Sequence, residues 1–355
     1  MAEANKWMKM LNKMEGAVDR EYDPYLPENV LQTVSPSLNY IFPKSMGLPL
    51  MEFMLLWGQP KAGKSIVSDG FVSGLHQKMN PDTKTNDLMA MKFDTEMREM
   101  GHKEGFWNID ESRYPVFNTN EPGEIFDRLK KDIFPMVEQG MPLKLLIIDS
   151  LQGIQGVKAG NADSVTDHQM GDHAMTIQKG LMAIAPFLRR HKIAMIATAH
   201  VRGNLDAGAY GPKEKMAGGW HQKHSFEYFV KVSRDNSAEG KKDALGNNLE
   251  IADMKDFKGK AEKTGHKIYI EMTENSRGRA GRSGQFTFDY DKGIVNIEEE
   301  IFELGKTLKL IDRPNNRTYV LDGKNYNSKE EMLTAIKEDS KVRETLLKGI
   351  YKRNE

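Results

Sequence analysis

An eight-residue glycine loop constrains the fold of this chain more than any other feature. Gly58-Gln59-Pro60-Lys61-Ala62-Gly63-Lys64-Ser65 matches the pattern G-x-x-x-x-G-K-[ST] at every fixed position and directly follows the apolar run 53–57. The run predicts a buried strand, and the residues from Ile66 onward predict a helix. A glycine loop in this context lets successive backbone N–H groups surround a phosphate. We therefore predict that residues 58–65 bind a nucleoside triphosphate, with Lys64 on the β- and γ-phosphates and Ser65 on Mg²⁺.

Composition limits the classes of partner and compartment. Lys plus Arg and Asp plus Glu each number 51, so any contact with nucleic acid must come from a local basic patch. The absence of cysteine excludes disulfides and thiolate metal sites and fits a reducing compartment. Residues 1–7 lack the apolar core of a secretory signal, and no uncharged apolar stretch approaches the roughly 18 residues of a membrane span. We expect a cytoplasmic protein without a membrane partner.

Apolar runs alternate with helical stretches through most of the chain. Between residues 34 and 225 the runs predict buried strands at 53–57, 89–93, 143–148 and 193–197. Near-continuous apolar strands separated by helices indicate a mostly parallel sheet with helices on both faces. Later strands alternate apolar and polar residues, at 226–232, 267–273 and 284–290. These predict antiparallel hairpins at one edge of the same α/β sheet.

The chain divides into three predicted parts. Residues 1–33 contain an amphipathic helix at 4–15 and a linker, interpreted as an oligomerisation arm. Residues 34–297 form the α/β core, in which the polar segment 235–265 is predicted to be an exposed excursion. Residues 298–355 form a small α/β lobe, with a helix at 298–305, a strand at 318–321 and a helix at 329–351.

Acidic residues end two of the predicted parallel strands. Asp149 ends the run 145–148 and is predicted to hold Mg²⁺ beside Ser65, although a strand-end Asp can also simply cap a loop. Asp94 and Glu96 end the run 89–93, where a carboxylate can orient and activate the attacking water. The residues alone leave both of these acids as candidates, and a solvated loop acid is the alternative for either.

His200 ends the next predicted strand in the same way. A polar side chain at this place can contact the γ-phosphate and transmit its loss to the following loop. The alternative interpretation is a histidine with a purely structural role.

Two glycine-bearing loops leave the same predicted sheet edge. The loop 201–219 combines basic residues with an aromatic one, which suits a single-stranded nucleic acid bound through its phosphates and by stacking. The other such segment is 153–171, so in chain order 153–171 is the first loop and 201–219 is the second loop. The residues predicted to contact DNA are Lys158, Arg202, Tyr210, Lys213 and Lys215. Ordinary surface loops are the alternative.

A later turn concentrates three arginines, Arg277, Arg279 and Arg282. Three roles fit it: a basic hairpin tip, a contact to DNA phosphates, or an arginine finger that reaches the γ-phosphate of a neighbouring subunit.

In this order, the motifs resemble those of the RecA family of DNA recombinases, especially the phage UvsX-type members, over residues 32–355. The resemblance implies a RecA-like P-loop ATPase core. It also implies that Glu96, rather than Asp94, activates water and that His200 is the γ-phosphate sensor. The turn departs from the bacterial pattern, because Glu274-Asn275-Ser276 replace the expected lysines. Arg277 is the nearest substitute for the basic residue that acts across the subunit boundary.

The resemblance further implies a DNA-dependent ATPase that uses ATP and Mg²⁺. Such a protein forms a helical homo-oligomeric filament on single-stranded DNA and exchanges strands with a homologous duplex, aided by a single-strand-binding protein and a loading mediator. A phage-encoded member would work in the host cytoplasm. Two rivals share the core motifs: a hexameric RecA-fold DNA helicase, and a RecA-like mediator that exchanges no strands.

Overall fold

The computed structural model describes Met10 and residues 22–99, 108–157, 171–203, 214–216, 224–243, 245–255 and 261–353. The predicted helix at 4–15 lies outside the described residues except for Met10. None of the helices in the described part has the length and apolar character that a bilayer crossing requires.

Seventeen strands are assigned within the described residues. They are β1 (Val30–Leu31), β2 (Leu48–Pro49), β3 (Phe53–Trp57), β4 (Met89–Asp94), β5 (Val116–Asn118), β6 (Leu143–Asp149), β7 (Ala194–Ala199), β8 (Val201–Gly203), β9 (Glu214–Met216), β10 (Tyr228–Arg234), β11 (Glu250–Lys255), β12 (Ala261–Lys263), β13 (Gly265–Asn275), β14 (Ser283–Asp289), β15 (Gly293–Val295), β16 (Tyr319–Leu321) and β17 (Lys324–Tyr326).

Seven α-helices accompany the strands in the described residues. They are α1 (Pro36–Tyr40), α2 (Lys64–Gln77), α3 (Phe134–Glu138), α4 (Asp172–Arg190), α5 (Ile297–Thr307), α6 (Lys329–Glu338) and α7 (Ser340–Lys352). Two π-helical stretches, Gly123–Asp127 and Leu129–Ile133, lead into α3. Short 3₁₀ turns occupy Pro27–Asn29, Glu111–Arg113, Leu151–Gly153 and Glu239–Lys241.

Nine of these strands form one sheet in the order β15-β14-β13-β10-β3-β7-β6-β4-β5. The pairs from β10 through β5 are parallel, and β13, β14 and β15 add an antiparallel edge. The predicted mostly parallel α/β sheet is therefore confirmed. One detail was not predicted: β10 pairs antiparallel with β13, as expected of the hairpin strands, and also pairs in parallel with β3.

Both faces of the sheet are buried. Met54 and Leu56 pack with α2 on one face, while Phe53 and Leu55 pack on the other face with α4 and the π-helical stretches. Two buried faces explain why the parallel strands are almost continuously apolar. The glycine loop and the ends of β4, β6 and β7 consequently meet at the carboxyl edge of the sheet.

The carboxyl-terminal residues form a third apolar cluster, to which Met46 also belongs. Phe302 on α5, Tyr319 on β16 and Ile350 on α7 are buried in it. The predicted single helix at 329–351 is wrong in detail, since α6 ends at Glu338 and Asp339 caps α7 by accepting from the Lys341 and Val342 amides. The domain boundaries at 33/34 and 297/298 stay predictions.

Two other segments differ from their predicted form. Val30 and Leu31, assigned to the linker, form β1 and pair with β2. Where the structure describes side chains in the segment 235–265, most are exposed, as predicted, but the segment also contains the hairpin of β11 and β12, which was not predicted. Its glycines and charges hid this local pairing, because the apolar alternation that marks a strand is weak there.

Candidate functional site

The glycine loop connects β3 to α2 at the carboxyl edge of the sheet. Gly63 has a φ of 107° at the residue before α2, a left-handed conformation that favours glycine. The Lys64 ammonium is buried and donates to the Gly58 and Gln59 carbonyl oxygens, both at 3.0 Å. Burial lowers the pKa of Lys64, while the nearby Asp149 and Glu96 charges oppose that effect. The loop thus folds around an ammonium group with backbone amides nearby, which suits a phosphate.

Ser65 and Asp149 meet as the sequence predicted. The Ser65 hydroxyl donates to Asp149 Oδ2 at 2.8 Å, and the Thr198 hydroxyl donates to Asp149 Oδ1 at 2.5 Å. Burial alone raises the pKa of Asp149. The charge of Lys92 and the bonds from Thr198 and Ser65 outweigh burial and hold that pKa below its ordinary value. The carboxylate is therefore an anion of fixed orientation beside a hydroxyl.

The oxygen donors at this point fit Mg²⁺. A hydroxyl and a carboxylate are hard ligands, and Mg²⁺ in nucleotide sites is usually held by one or two protein oxygens plus substrate phosphates. Within the described residues, no group of three or more His, Cys, Asp or Glu side chains is arranged to hold a metal. Ser65 and Asp149 would accordingly hold the ion together with the nucleotide.

Glu96 and His200 are in direct contact. His200 Nε2 lies 2.6 Å from Glu96 Oε1, and the Ser150 hydroxyl donates to the same oxygen at 3.1 Å. Arg98 pairs with Glu96 Oε2 at 2.8 Å. Burial raises the pKa of Glu96, but the bonds from His200 and Ser150 and the charges of His200 and Arg98 lower it overall. Glu96 is thus an ionised carboxylate at the sheet edge.

Asp94, the other candidate acid, has a structural task. It is buried and accepts the backbone N–H groups of Glu96, Arg98 and Glu99 at 3.0, 2.7 and 2.6 Å. These bonds hold the turn that carries Glu96. Asp94 therefore supports the turn, and Glu96 is the acid that faces His200.

The second glycine-bearing loop begins next to this site. β8 and β9 pair in antiparallel register, with Arg202 opposite Lys215. The Gln59 amide of the glycine loop donates to Glu214 Oε1 on β9. The His200 backbone N–H donates to Gln152 Oε1 at 3.1 Å, and Gln152 lies just before the first loop. Both loop segments are thus bonded to residues of the predicted nucleotide site.

The structure brings most of the predicted site residues together. The whole loop 58–65, Asp149, Glu96 and His200 share the carboxyl edge of the sheet. Of the predicted DNA contacts, Arg202 is exposed on β8 and Lys215 lies on β9. Lys158, Tyr210 and Lys213 lie outside the described residues.

Arg277 is placed elsewhere. Its Nε lies 2.6 Å from Glu52 Oε1, and Glu52 immediately precedes β3 at the amino edge of the sheet. Glu227, also near Arg277, pairs with Arg189 at 2.7 Å. Gly58 follows the other end of β3, six residues after Glu52, so roughly 20 Å of extended chain separates these two residues. Arg277 cannot reach the glycine loop of its own chain.

Sequence reasoning missed two residues that contact Asp149. Lys92 is buried on β4 with its Nζ 3.3 Å from Asp149 Oδ2, and Thr198 contacts the other oxygen. Lys92 had a visible signal, since it is the lone charge in the run Met89-Ala90-Met91-Lys92-Phe93. Thr198 had none, because threonine is common in strands.

Comparison with known proteins gives a weak and consistent result. No protein-family model matches the chain. It is 26% identical over 213 residues to "DNA repair protein recA homolog 3, mitochondrial" of Arabidopsis thaliana, which covers 58% of this chain and 43% of that protein. It is 24% identical over 159 residues to "Protein RecA" of Fusobacterium nucleatum, covering 45% of this chain and 36% of that protein.

The chain therefore spans less than half the length of either relative, and its similarity to RecA proteins is distant. The nine-stranded sheet agrees with a RecA-like α/β core.

Proposed function

We propose that this protein is an ATP-dependent DNA recombinase of the RecA type. It forms helical filaments on single-stranded DNA and promotes homologous pairing and strand exchange with a duplex. The observation that carries the proposal is the shared sheet edge. There Lys64, Ser65, Asp149, Glu96 and His200 converge, and the bases of both predicted DNA loops are bonded to this site.

The residues divide the work of ATP hydrolysis. The loop 58–65 and Lys64 hold the phosphates, while Ser65 and Asp149 hold Mg²⁺, which neutralises charge on the phosphate oxygens. Glu96 is ionised and accepts a proton from the attacking water, which it also orients. His200 donates to Glu96 and lies where a γ-phosphate contact is expected. Ser150 supports the same carboxylate oxygen.

Nucleotide and DNA binding are coupled through short contacts. Gln59 bonds the phosphate loop to Glu214 at the base of the second loop, and Gln152 bonds His200 to the start of the first. A ligand that moves Gln59 or His200 must change these hydrogen bonds, and it thereby changes the position of the two loops. These loops carry Lys158, Arg202, Tyr210, Lys213 and Lys215. In this proposal these five residues contact DNA. Arg202 and Lys215 occupy opposite register positions of the β8–β9 pair, at the base of one loop.

The position of Arg277 supports the proposed filament. Because this residue sits at the opposite sheet edge from the glycine loop, it can approach only the nucleotide of an adjacent copy. We infer that ATP lies between copies and that the arginine turn completes the neighbour's site. The histidine at position 200 favours the UvsX-type branch and work in a host cytoplasm. A single-strand-binding protein and a loading mediator complete the proposed set of partners.

The decisive experiment measures ATPase rate with and without single-stranded DNA over a range of salt concentrations. A recombinase should show DNA-stimulated turnover that falls steeply with salt, because the loops contact phosphates. Lys64→Ala should abolish that turnover, and its persistence would contradict the site. Tyr210→Ala should weaken single-strand binding more than ATP binding.

Strand exchange and microscopy then separate the rivals. Strand exchange by the purified protein, together with open filaments in electron micrographs with ATP and single-stranded DNA, supports the proposal. Closed six-membered rings would instead identify a helicase. DNA-stimulated ATPase without strand exchange would identify a mediator.

A further inference from the structure

A single lysine lies inside the apolar face that covers α2. Lys92 on β4 is 2% exposed, and strand alternation puts it on the same sheet face as Ala90, which packs in the α2-side core. A buried ammonium is costly unless charges and hydrogen bonds compensate it. A purely structural strand does not require a charge at this position. The role of Lys92 is therefore inferred from the groups that it contacts.

The partners of Lys92 come from three different elements. Its Nζ donates to Glu99 Oε2 at 2.9 Å, beyond the end of β4, and lies 3.3 Å from Asp149 Oδ2 at the end of β6. Asp69 on α2, also buried, adds a third carboxylate to its surroundings. Burial lowers the pKa of Lys92, but the charges of Asp69, Asp149 and Glu99 outweigh it and raise that pKa overall. Lys92 is a cation at neutral pH.

The bonds of Asp149 show what this cation does. Oδ2 faces both the Ser65 hydroxyl and the Lys92 ammonium, and Oδ1 accepts from Thr198. Ser65 is also the residue that would share Mg²⁺ with Asp149, so it is drawn toward the ion when nucleotide binds. Lys92 and Thr198 are then the contacts that keep the carboxylate in place. Outer contacts of this kind typically change metal affinity by about 10- to 100-fold.

We propose that Lys92 is a positioning residue for Asp149 and thereby sets how strongly Mg²⁺ enhances nucleotide binding. The inference rests on the proposed nucleotide site and goes beyond it, because it assigns this task to a strand lysine that touches neither phosphate nor metal. Lys92 keeps the Asp149 carboxylate aimed at Ser65 and balances the charge of Glu99 and Asp69.

The test removes Lys92 without changing the net charge of the cluster. Lys92→Met alone would leave the buried Asp69 and the partly buried Glu99 and Asp149 without this counter-charge and would endanger folding. The variants Lys92→Met/Glu99→Gln and Lys92→Met/Asp69→Asn each remove one cation and one anion, so the long-range attraction for Mg²⁺ is preserved. The affinity for a fluorescent, slowly hydrolysed ATP analogue is measured with and without Mg²⁺, and thermal unfolding is recorded in parallel.

The expected result is a selective loss. Both double variants should unfold within a few degrees of the wild type and bind the analogue equally well without Mg²⁺. Their Mg²⁺ enhancement should fall by about tenfold. A merely structural lysine would change Tm but not this ratio. Lys144→Met is the matched control, since Lys144 on β6 bonds only the His191 carbonyl oxygen among described groups and should leave the enhancement unchanged.

Two outcomes overturn the inference, and they differ. If the wild type shows Mg²⁺ enhancement and a folded double variant shows the same enhancement, Lys92 does not position Asp149, and the nucleotide site stands. If the wild type shows no Mg²⁺ enhancement at all, the proposed nucleotide site is wrong, and so is the proposed role of Lys92.

Discussion

Glu96 Oε1 and His200 Nε2 lie 2.6 Å apart, although 104 positions separate the two residues in the chain. Glu96 follows the end of β4 and His200 follows the end of β7, with β6 between these two strands in the sheet. The contact joins the proposed water-activating carboxylate to the proposed γ-phosphate sensor. Movement or substitution of one of these side chains therefore directly changes the hydrogen bonding of the other.

The first prediction concerns the carboxylate. Glu96→Gln keeps an oxygen that accepts from His200 and Ser150 but removes the group that accepts a proton from water. ATP and DNA binding should persist, while the turnover number falls by roughly 10² to 10⁴. Steady-state ATPase assays and equilibrium binding check this, and normal turnover would remove Glu96 from its role.

The second prediction concerns the bond between the glycine loop and the second DNA loop. Glu214→Ala removes the acceptor of Gln59 but no phosphate or metal contact. Affinity for ATP alone and for single-stranded DNA alone should change less than about twofold. The factor by which ATP tightens DNA binding should fall about fivefold or more, the scale of a typical coupling energy. Fluorescence anisotropy with and without nucleotide measures that factor.

Glu250→Ala is the control for this variant, because it removes an exposed acid from a hairpin strand that has no described bond to the glycine loop. An equal loss in both variants would indicate a general charge effect and contradict the coupling.

The third prediction concerns Arg277. Glu52 is 3% exposed and depends on this half-exposed arginine for its counter-charge. Arg277→Ala should therefore destabilise the subunit by roughly 1–3 kcal/mol, because a buried carboxylate loses its partner. Denaturant unfolding measures this cost. Arg279→Ala, in the same turn but with an exposed side chain, should change stability by less than about 0.5 kcal/mol.

A second variant separates stability from catalysis at this position. Arg277→Met/Glu52→Gln removes both charges and should recover most of the stability. If DNA-stimulated turnover stays low in that variant, Arg277 acts on a neighbour's nucleotide. Full recovery of turnover would show that it serves the fold of its own subunit.

The fourth prediction concerns the junction between α1 and α5. Glu300 is 3% exposed, and its Oε2 accepts from the Ser35 hydroxyl at 2.5 Å and the Ser37 amide at 2.9 Å. Burial raises the pKa of Glu300 to about 8, from 4.5 without such burial. Between these values the native state binds more protons than the unfolded state, so the free energy of unfolding falls as pH rises.

Glu300→Gln lacks this ionisation. From pH 6 to pH 8 the wild type should therefore lose roughly 1–2 kcal/mol of stability relative to the variant. Denaturant unfolding at several pH values measures the difference. Parallel stability curves for the two proteins would contradict a raised pKa at Glu300.

The sequence predicted the sheet and its carboxyl-edge residues well for a physical reason. Strands buried on both faces are continuously apolar, and the glycine loop fixes which edge carries the ligand. That reasoning placed Ser65 near Asp149 and put Glu96 and His200 at the same edge. It could not separate Asp94 from Glu96 on the residues alone, because the turn bonds that occupy Asp94 exist only in the folded chain.

Other features depend on contacts between distant parts of the chain. The ion pair of Arg277 with Glu52 joins a turn to the residue before β3, and no local sequence pattern predicts this pair. The parallel partner of β10 was likewise hidden, since its alternation is the same in either direction. Lys92 was visible as a charge within an apolar strand, but its carboxylate partners came from α2 and β6.

The opposite positions of the glycine loop and the arginine turn give each molecule a direction. If the two ends join between copies, every open assembly has one terminus that exposes an unused loop and one that exposes an unused turn. A copy damaged at only one end would still attach by the other, and would then block further addition on its damaged side. Small admixtures of such copies would shorten the assemblies and identify the end at which they grow.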